Sequence, residues 1–170
     1  MDGTLAAIFL LASLGDMGLT HCPTGCLARG TPEARIGLQA AATEFDRTII
    51  GEEIGIVYDA PLSYGPVRIT AAATLTDRGR LWIGAGGRWQ ERIGRGPLFV
   101  EASLMPGIDM MHNDPALGGN LQFRSSLGLG WEFGTGAQIV AAYDHRSNAD
   151  TRGINPGLET ISIRYSLTFD

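Results

Sequence analysis

From residue 35 to residue 169, apolar side chains recur at every second position in stretches of about ten residues. That period of two is the period of a β-strand and not of a helix. Eight stretches can be counted, near Arg35–Phe45, Ile49–Asp59, Val67–Thr76, Leu81–Gln90, Leu98–Met110, Leu121–Phe133, Gly136–Ser147 and Leu158–Phe169. Between them stand Tyr64-Gly65-Pro66, Asp77-Arg78-Gly79, Gly94-Arg95-Gly96-Pro97 and Gly118-Gly119-Asn120, the turn chemistry of an antiparallel meander. No amphipathic helix of three or more turns interrupts the pattern.

The sixth stretch shows which face is which. Leu121, Phe123, Leu127, Leu129, Trp131 and Phe133 share one side, and Gln122, Arg124, Ser126, Gly128, Gly130 and Glu132 share the other. The third repeats it, with Val67, Ile69, Ala71, Ala73 and Leu75 against Arg68, Thr70, Thr74 and Thr76. In a soluble sandwich the polar face meets water; in a small membrane barrel the apolar face meets lipid, and polar or tiny residues fill the lumen. Strand length favours the second, because about 9–11 residues span a bilayer at a tilt whereas soluble strands cluster near 5–6. Trp89, Trp131, Phe133, Tyr58 and Tyr165 tend towards strand ends, as an interfacial aromatic girdle requires. The alternation Ile161, Ile163, Tyr165, Leu167, Phe169 resembles the C-terminal assembly signal of outer-membrane barrels, although Asp170 follows the aromatic. The expectation is an all-β, eight-stranded antiparallel transmembrane barrel over residues 31–170. A soluble lipocalin-like barrel is the structural alternative, but it needs an apolar interior.

Composition agrees with a lipid-facing wall. Charged residues make up 18% of the 170-residue chain, against about 25% in ordinary soluble domains. A net charge of -5 and a pI near 5.1 exclude the basic face on which nucleic-acid binding depends. Leu5 to Leu14 is about ten apolar residues, roughly half of a spanning helix, and reads as the core of a secretory signal although only Asp2 precedes it where positive charge is usual. Residues 1–30 are therefore expected to be a signal peptide and leader, with cleavage between Gly18 and Ala34. Cys22 and Cys26 lie in the same interval; C-x3-C without a second pair does not make a metal site, and Pro23-Thr24-Gly25 fits a lipoprotein signal poorly. No metal or cofactor is expected.

Stretches seven and eight break the rule in one place. The outward parity of Ala137, Ile139, Ala141 and Tyr143 continues into His145 and Ser147, and Glu159 shares parity with Ile161 and Ile163. Three hydrogen-bonding side chains thus fall on the lipid face near its rim, where the cost of polarity is smallest. If 145 faces 159 across the hairpin, a carboxylate stands beside an imidazole and a hydroxyl stands two positions on, about 6.5–7 Å away along the strand. Ester hydrolysis needs those parts: Ser147 to attack, His145 to carry the proton and Glu159 to orient the imidazole. Asn148 and Asn155, with backbone N–H groups of the turn, are the oxyanion candidates. Taken as residues alone, they are equally compatible with ordinary rim polarity.

The run His145-Arg146-Ser147-Asn148-Ala149, followed by Asn155-Pro156-Gly157-Leu158-Glu159 and a final alternating strand, resembles the C-terminal signature of the PagL-type lipid A 3-O-deacylases. Leu127-Gly128-Leu129-Gly130-Trp131-Glu132-Phe133-Gly134 is similar to that family's penultimate hairpin. The resemblance is strongest over about the last fifty residues. It implies a cofactor-independent Ser-His-Glu hydrolase with its site on the exterior wall. Its substrate would be the ester-linked 3-O acyl chain of lipopolysaccharide lipid A, and its place the outer membrane. His145, Ser147 and Glu159 carry over as the triad, and Asn148 and Asn155 as oxyanion support. Arg146 departs from the usual aliphatic or aromatic residue; its parity points it inward, with a rim phosphate contact as the lesser reading. His112 reads as a loop histidine, and Glu52, Glu101 and Asp109 have no partners evident in sequence. A homodimer stays open, as do a non-catalytic adhesion or envelope barrel and an outer-membrane phospholipase.

Overall fold

The computed structural model describes residues 3–110 and 116–169. Eight long strands form the body: β1 (Ala34–Phe45), β2 (Thr48–Tyr64), β3 (Val67–Thr76), β4 (Leu81–Arg92), β5 (Leu98–Asp109), β6 (Leu121–Glu132), β7 (Gln138–Ser147) and β8 (Leu158–Phe169). Each pairs antiparallel with its neighbours in sequence, and β1 closes on β8 from Ala34↔Phe169 to Glu44↔Glu159. The barrel therefore has no free edge.

The faces fall as the alternation requires. Along β8, Ile161, Ile163, Tyr165, Leu167 and Phe169 are exposed, while Thr160, Ser162, Arg164 and Ser166 are buried in the lumen. Along β6, Leu121, Leu127, Leu129 and Trp131 face out, and Gln122, Arg124 and Ser126 face in. A lumen lined by such groups is no lipocalin cavity, which removes that alternative. It is not wholly polar, because Trp82, Val57, Ala72 and Met105 form a small apolar cluster inside. Tight packing explains a glycine here: a Cβ at Gly107 would lie 2.6 Å from the Trp82 ring.

Charges fill the rest of the lumen as a network. Glu53 accepts from Arg124 at 2.9 Å and Arg146 at 2.7 Å, and Arg124 also donates to Asp144 at 3.2 Å. Both guanidinium groups stack on Trp82, at 5.6 and 5.3 Å from its centroid. Arg164 grips both oxygens of Glu101, and Arg80 pairs with Asp109. Glu101 and Asp109, which had no evident partners in sequence, thus find them, Glu101 across the lumen on β8 and Asp109 beside it at the start of β4.

Strand bounds differ from expectation mainly in β2, which runs on to Tyr64. The ladder lapses between Asp59 and Ser63, where Pro61 has no N–H to give, and then resumes. Arg68 Nε occupies the freed Ala60 carbonyl at 3.1 Å. Before the barrel, α1 (Thr4–Asp16) runs into a π turn at Met17–His21. This apolar helix lies along the outer wall over β4, β5 and β6, with Asp16 accepting from Trp89 Nε1 at 2.9 Å. Cys22 and Cys26 are joined in a disulfide, and Arg29–Gly30 pairs with Tyr64 and Ser63 before β1 begins.

Candidate active site

Strand direction puts the ends of β1, β3, β5 and β7 at one rim, where the connections 110–120 and 148–157 are the longest. The opposite rim has short links, 65–66, 93–97 and 133–137. The site sits at the long-loop rim, on the outside.

Register brings it together. His145↔Glu159 are direct partners across β7 and β8, and His145 Nδ1 lies 3.1 Å from Glu159 Oε1. With the carboxylate as acceptor, the proton belongs on Nδ1, which leaves the Nε2 lone pair free to take another. Ser147, two positions on, lines the same external groove of about 390 Å³ as His145, together with Leu104, Phe123, Ser125 and Asn155. Its hydroxyl has no hydrogen-bond partner among the described residues. Catalytic hydrogen bonds commonly tighten only when substrate binds.

The imidazole is held from below by backbone. Gly157 has φ +79°, and a Cβ there would fall 2.8 Å from His145 Cε1. Any side chain would therefore strain the turn and push the ring. Ser125, directly opposite His145 on β6, donates to the His145 carbonyl at 3.4 Å.

The two asparagines have separate positions. Asn148 is fully buried, and its Nδ2 faces the carbonyls of Leu117 (3.1 Å), Gly118 (3.2 Å) and Ile154 (2.6 Å). It clasps the 110–120 and 148–157 connections to each other and does not line the groove. Its own N–H is taken by Asn155 Oδ1 at 3.0 Å. Asn155 does line the groove, and its Nδ2 reaches Asp150 at 2.9 Å, which leaves a second amide hydrogen. Arg146 points into the lumen at 2% exposure, so it is no rim phosphate contact. His112 lies outside the described residues, and among those described no group of three or more His, Cys, Asp or Glu could hold a metal.

Two residues on the same face were missed in sequence, Ser125 and Glu44. Both break an apolar alternation, Ser125 between Phe123 and Leu127, and Glu44 after Leu38, Ala40 and Ala42. The parity that singled out His145 was the signal available for them.

No curated protein sequence matches the chain. Among solved structures, that of the outer membrane enzyme PagL is similar at TM-score 0.66 and 17% identity, over 79% of this chain and 99% of that one. Neisserial surface protein A is similar at TM-score 0.61 and 10% identity, over 82% of this chain and 99% of that one. A designed transmembrane β-barrel follows at TM-score 0.55 and 9% identity, over 81% of this chain and 95% of that one. At such identities these likenesses show the fold, an outer-membrane barrel. The family model for lipid A 3-O-deacylase (PagL) matches residues 35–168, the whole barrel apart from its last strand ends, and the chain belongs to that family.

Proposed function

We propose that this member of the lipid A 3-O-deacylase family releases the 3-O acyl chain of lipid A through Ser147, His145 and Glu159. The observation that carries the reading is the 3.1 Å contact of His145 Nδ1 with Glu159 on the lipid-facing wall, with Ser147 in the same groove. Ser147 Oγ attacks the ester carbonyl as its proton passes to His145 Nε2. The imidazolium then gives that proton to the departing sugar oxygen. Water, deprotonated by the same imidazole, next cleaves the acyl-serine and frees the fatty acid. Glu159 holds the productive tautomer and offsets the imidazolium charge. The spare Asn155 amide hydrogen is the side-chain donor available to the oxyanion.

An external site suits a substrate that never leaves the bilayer, since the acyl chain stays in hydrocarbon while its ester reaches the rim. Long loops are external in barrels of this class, which puts the groove in the outer leaflet. Residues 1–30 serve as the leader; Thr4–His21 is apolar enough to cross a membrane, as secretory signals are. Gly3 and Ala6 line one side of the groove, so removal of the leader opens it to lipid. N-terminal sequencing of protein from outer membranes reads the cleavage. A homodimer through the uncovered apolar wall is a further expectation, read by cross-linking in membranes.

The test of function is mass spectrometry of lipid A from cells making the wild type or Ser147→Ala. Wild type should yield lipid A lighter by one ester-linked chain, and Ser147→Ala should fold, remain heat-modifiable on gels and release none. Phospholipid cleavage with lipid A left intact would move the substrate to phospholipids, and activity in Ser147→Ala would reject the mechanism.

A further inference from the structure

The outward row that carries His145 and Glu159 is longer than the triad. Across β8 from Glu159 stands Glu44 of β1, and across β7 from His145 stands Ser125 of β6. Four adjacent strands each place one polar side chain at the same height, just above the outward Ala42, Ile161, Tyr143 and Leu127.

Folding does not explain Glu44. Glu44 directly faces Glu159 across the β1–β8 ladder, and like charges directly opposite in an antiparallel pair are destabilising. Glu44 has no hydrogen bond or ion pair among the described residues. The β1–β2 ladder is irregular at this residue: Thr43 pairs with Gly51 and Glu44 with Ile49, so Ile50 is extra. Bulges of this kind recur beside active sites, where they re-aim a side chain. Tyr143, on the same face two residues before His145, interacts electrostatically with both Glu159 and Glu44, so one small field contains both carboxylates.

We propose that Glu44 is a positioning residue for the ester hydrolysis, repelling the Glu159 carboxylate toward β7 so that it stays against His145. Its charge also adds to the field in which the imidazolium forms. The inference rests on the triad reading. Because Glu44 does not line the groove and makes no hydrogen bond to His145, its effect belongs to kcat and not to KM.

The test is steady-state hydrolysis of purified lipid A in detergent micelles by Glu44→Gln, Glu44→Asp and Ser147→Ala. Glu91→Gln, exposed near the opposite rim, is the control for loss of one negative charge. Glu44→Gln should lose about fivefold in kcat at unchanged KM, as expected for one charge about 10 Å from the imidazole across a partly wet rim. Glu44→Asp should regain most of that, and Glu91→Gln should match wild type. Wild-type kcat in Glu44→Gln, a loss carried by KM, or equal losses in the Gln and Asp variants would each overturn the role of Glu44. Misfolding is separated by following fluorophosphonate labelling of Ser147 in the folded, heat-modifiable gel band alone. That labelling has to slow in Glu44→Gln, and unslowed labelling overturns the proposal. Wild-type turnover in Ser147→Ala overturns the triad itself, so the two failures are distinguishable.

Discussion

The lumen and the outer wall of this barrel both carry buried or half-buried polar groups, and they use them in opposite ways. Inside, Arg124, Arg146, Glu53 and Asp144 answer one another at 2.7–3.2 Å, and Trp82 takes up the guanidinium faces. Outside, the polar row of Ser125, His145, Glu159 and Glu44 is only partly paired, and the Ser147 hydroxyl has no partner among the described residues. Charges that serve stability are neutralised by neighbours, because an unpaired buried charge costs several kcal/mol. The groups proposed to do chemistry keep a lone pair or a proton open toward the groove. Residues 144 to 147 alternate between the two regimes within one strand: Asp144 and Arg146 belong to the lumen, His145 and Ser147 to the wall.

That contrast is broken most severely at Glu159. Glu159→Gln keeps the shape of the hairpin and removes the orienting charge; loss of such a carboxylate cost about 10⁴-fold in kcat in the serine-protease case, and a wet rim makes the loss here smaller. Folding, read by heat-modifiability, should survive. Glu132→Gln is the control, since Glu132 bonds Gln138 at 2.8 Å and Arg92 near the opposite rim, and its turnover should match wild type. If both fold and Glu159→Gln turns over like wild type, Glu159 is not the third member.

Arg124→Leu attacks the other regime. Removing one partner from a buried pair leaves Glu53 and Asp144 under-compensated and should cost about 3–5 kcal/mol. Urea unfolding in micelles should show the lowered midpoint, with turnover of the folded fraction near wild type. A loss of turnover with unchanged stability would mean that the lumen takes part in chemistry.

Gly157→Ala sits between the two. The added methyl would fall 2.8 Å from His145 Cε1, at a residue whose φ is already +79°. A displacement of the imidazole by about 1 Å should lower kcat about 10²-fold. Fluorophosphonate labelling of Ser147 should slow in parallel.

The smallest effect is expected at Asn148. Asn148→Ala removes the donor that clasps two rim connections and should cost about 1–3 kcal/mol, shown as faster proteolytic nicking within 148–157. Turnover lost with no change in nicking would restore Asn148 to the oxyanion region, where its place in the sequence had first put it.

Much of this molecule was legible before its structure. Val67–Thr76 and Leu158–Phe169 coincide with the observed strands, because a strand between lipid and a polar lumen must alternate throughout its length. His145 and Glu159 were legible for the same reason, since polar residues at outward parity contradict the pattern. Glu44 gave the same signal more faintly, as a single carboxylate at a strand end beside a turn. The partners of Glu101 and Asp109 were not legible, because Arg164 and Arg80 stand 63 and 29 residues away; Arg164 meets Glu101 only across the closed lumen, and Arg80 meets Asp109 only through the β4–β5 pairing.

The local period of the sequence determined the strands, their faces and the wall on which the proposed catalytic groups stand, because each depends on a residue and its neighbours two positions away. Closure decided the rest. Only the β1–β8 seam brings Glu44 beside Glu159, only the loop clasp gives Asn148 its buried place, and only the filled lumen gives Arg146 its Glu53. Those contacts join positions far apart in the chain, and no periodicity records which distant positions a closed barrel will bring together.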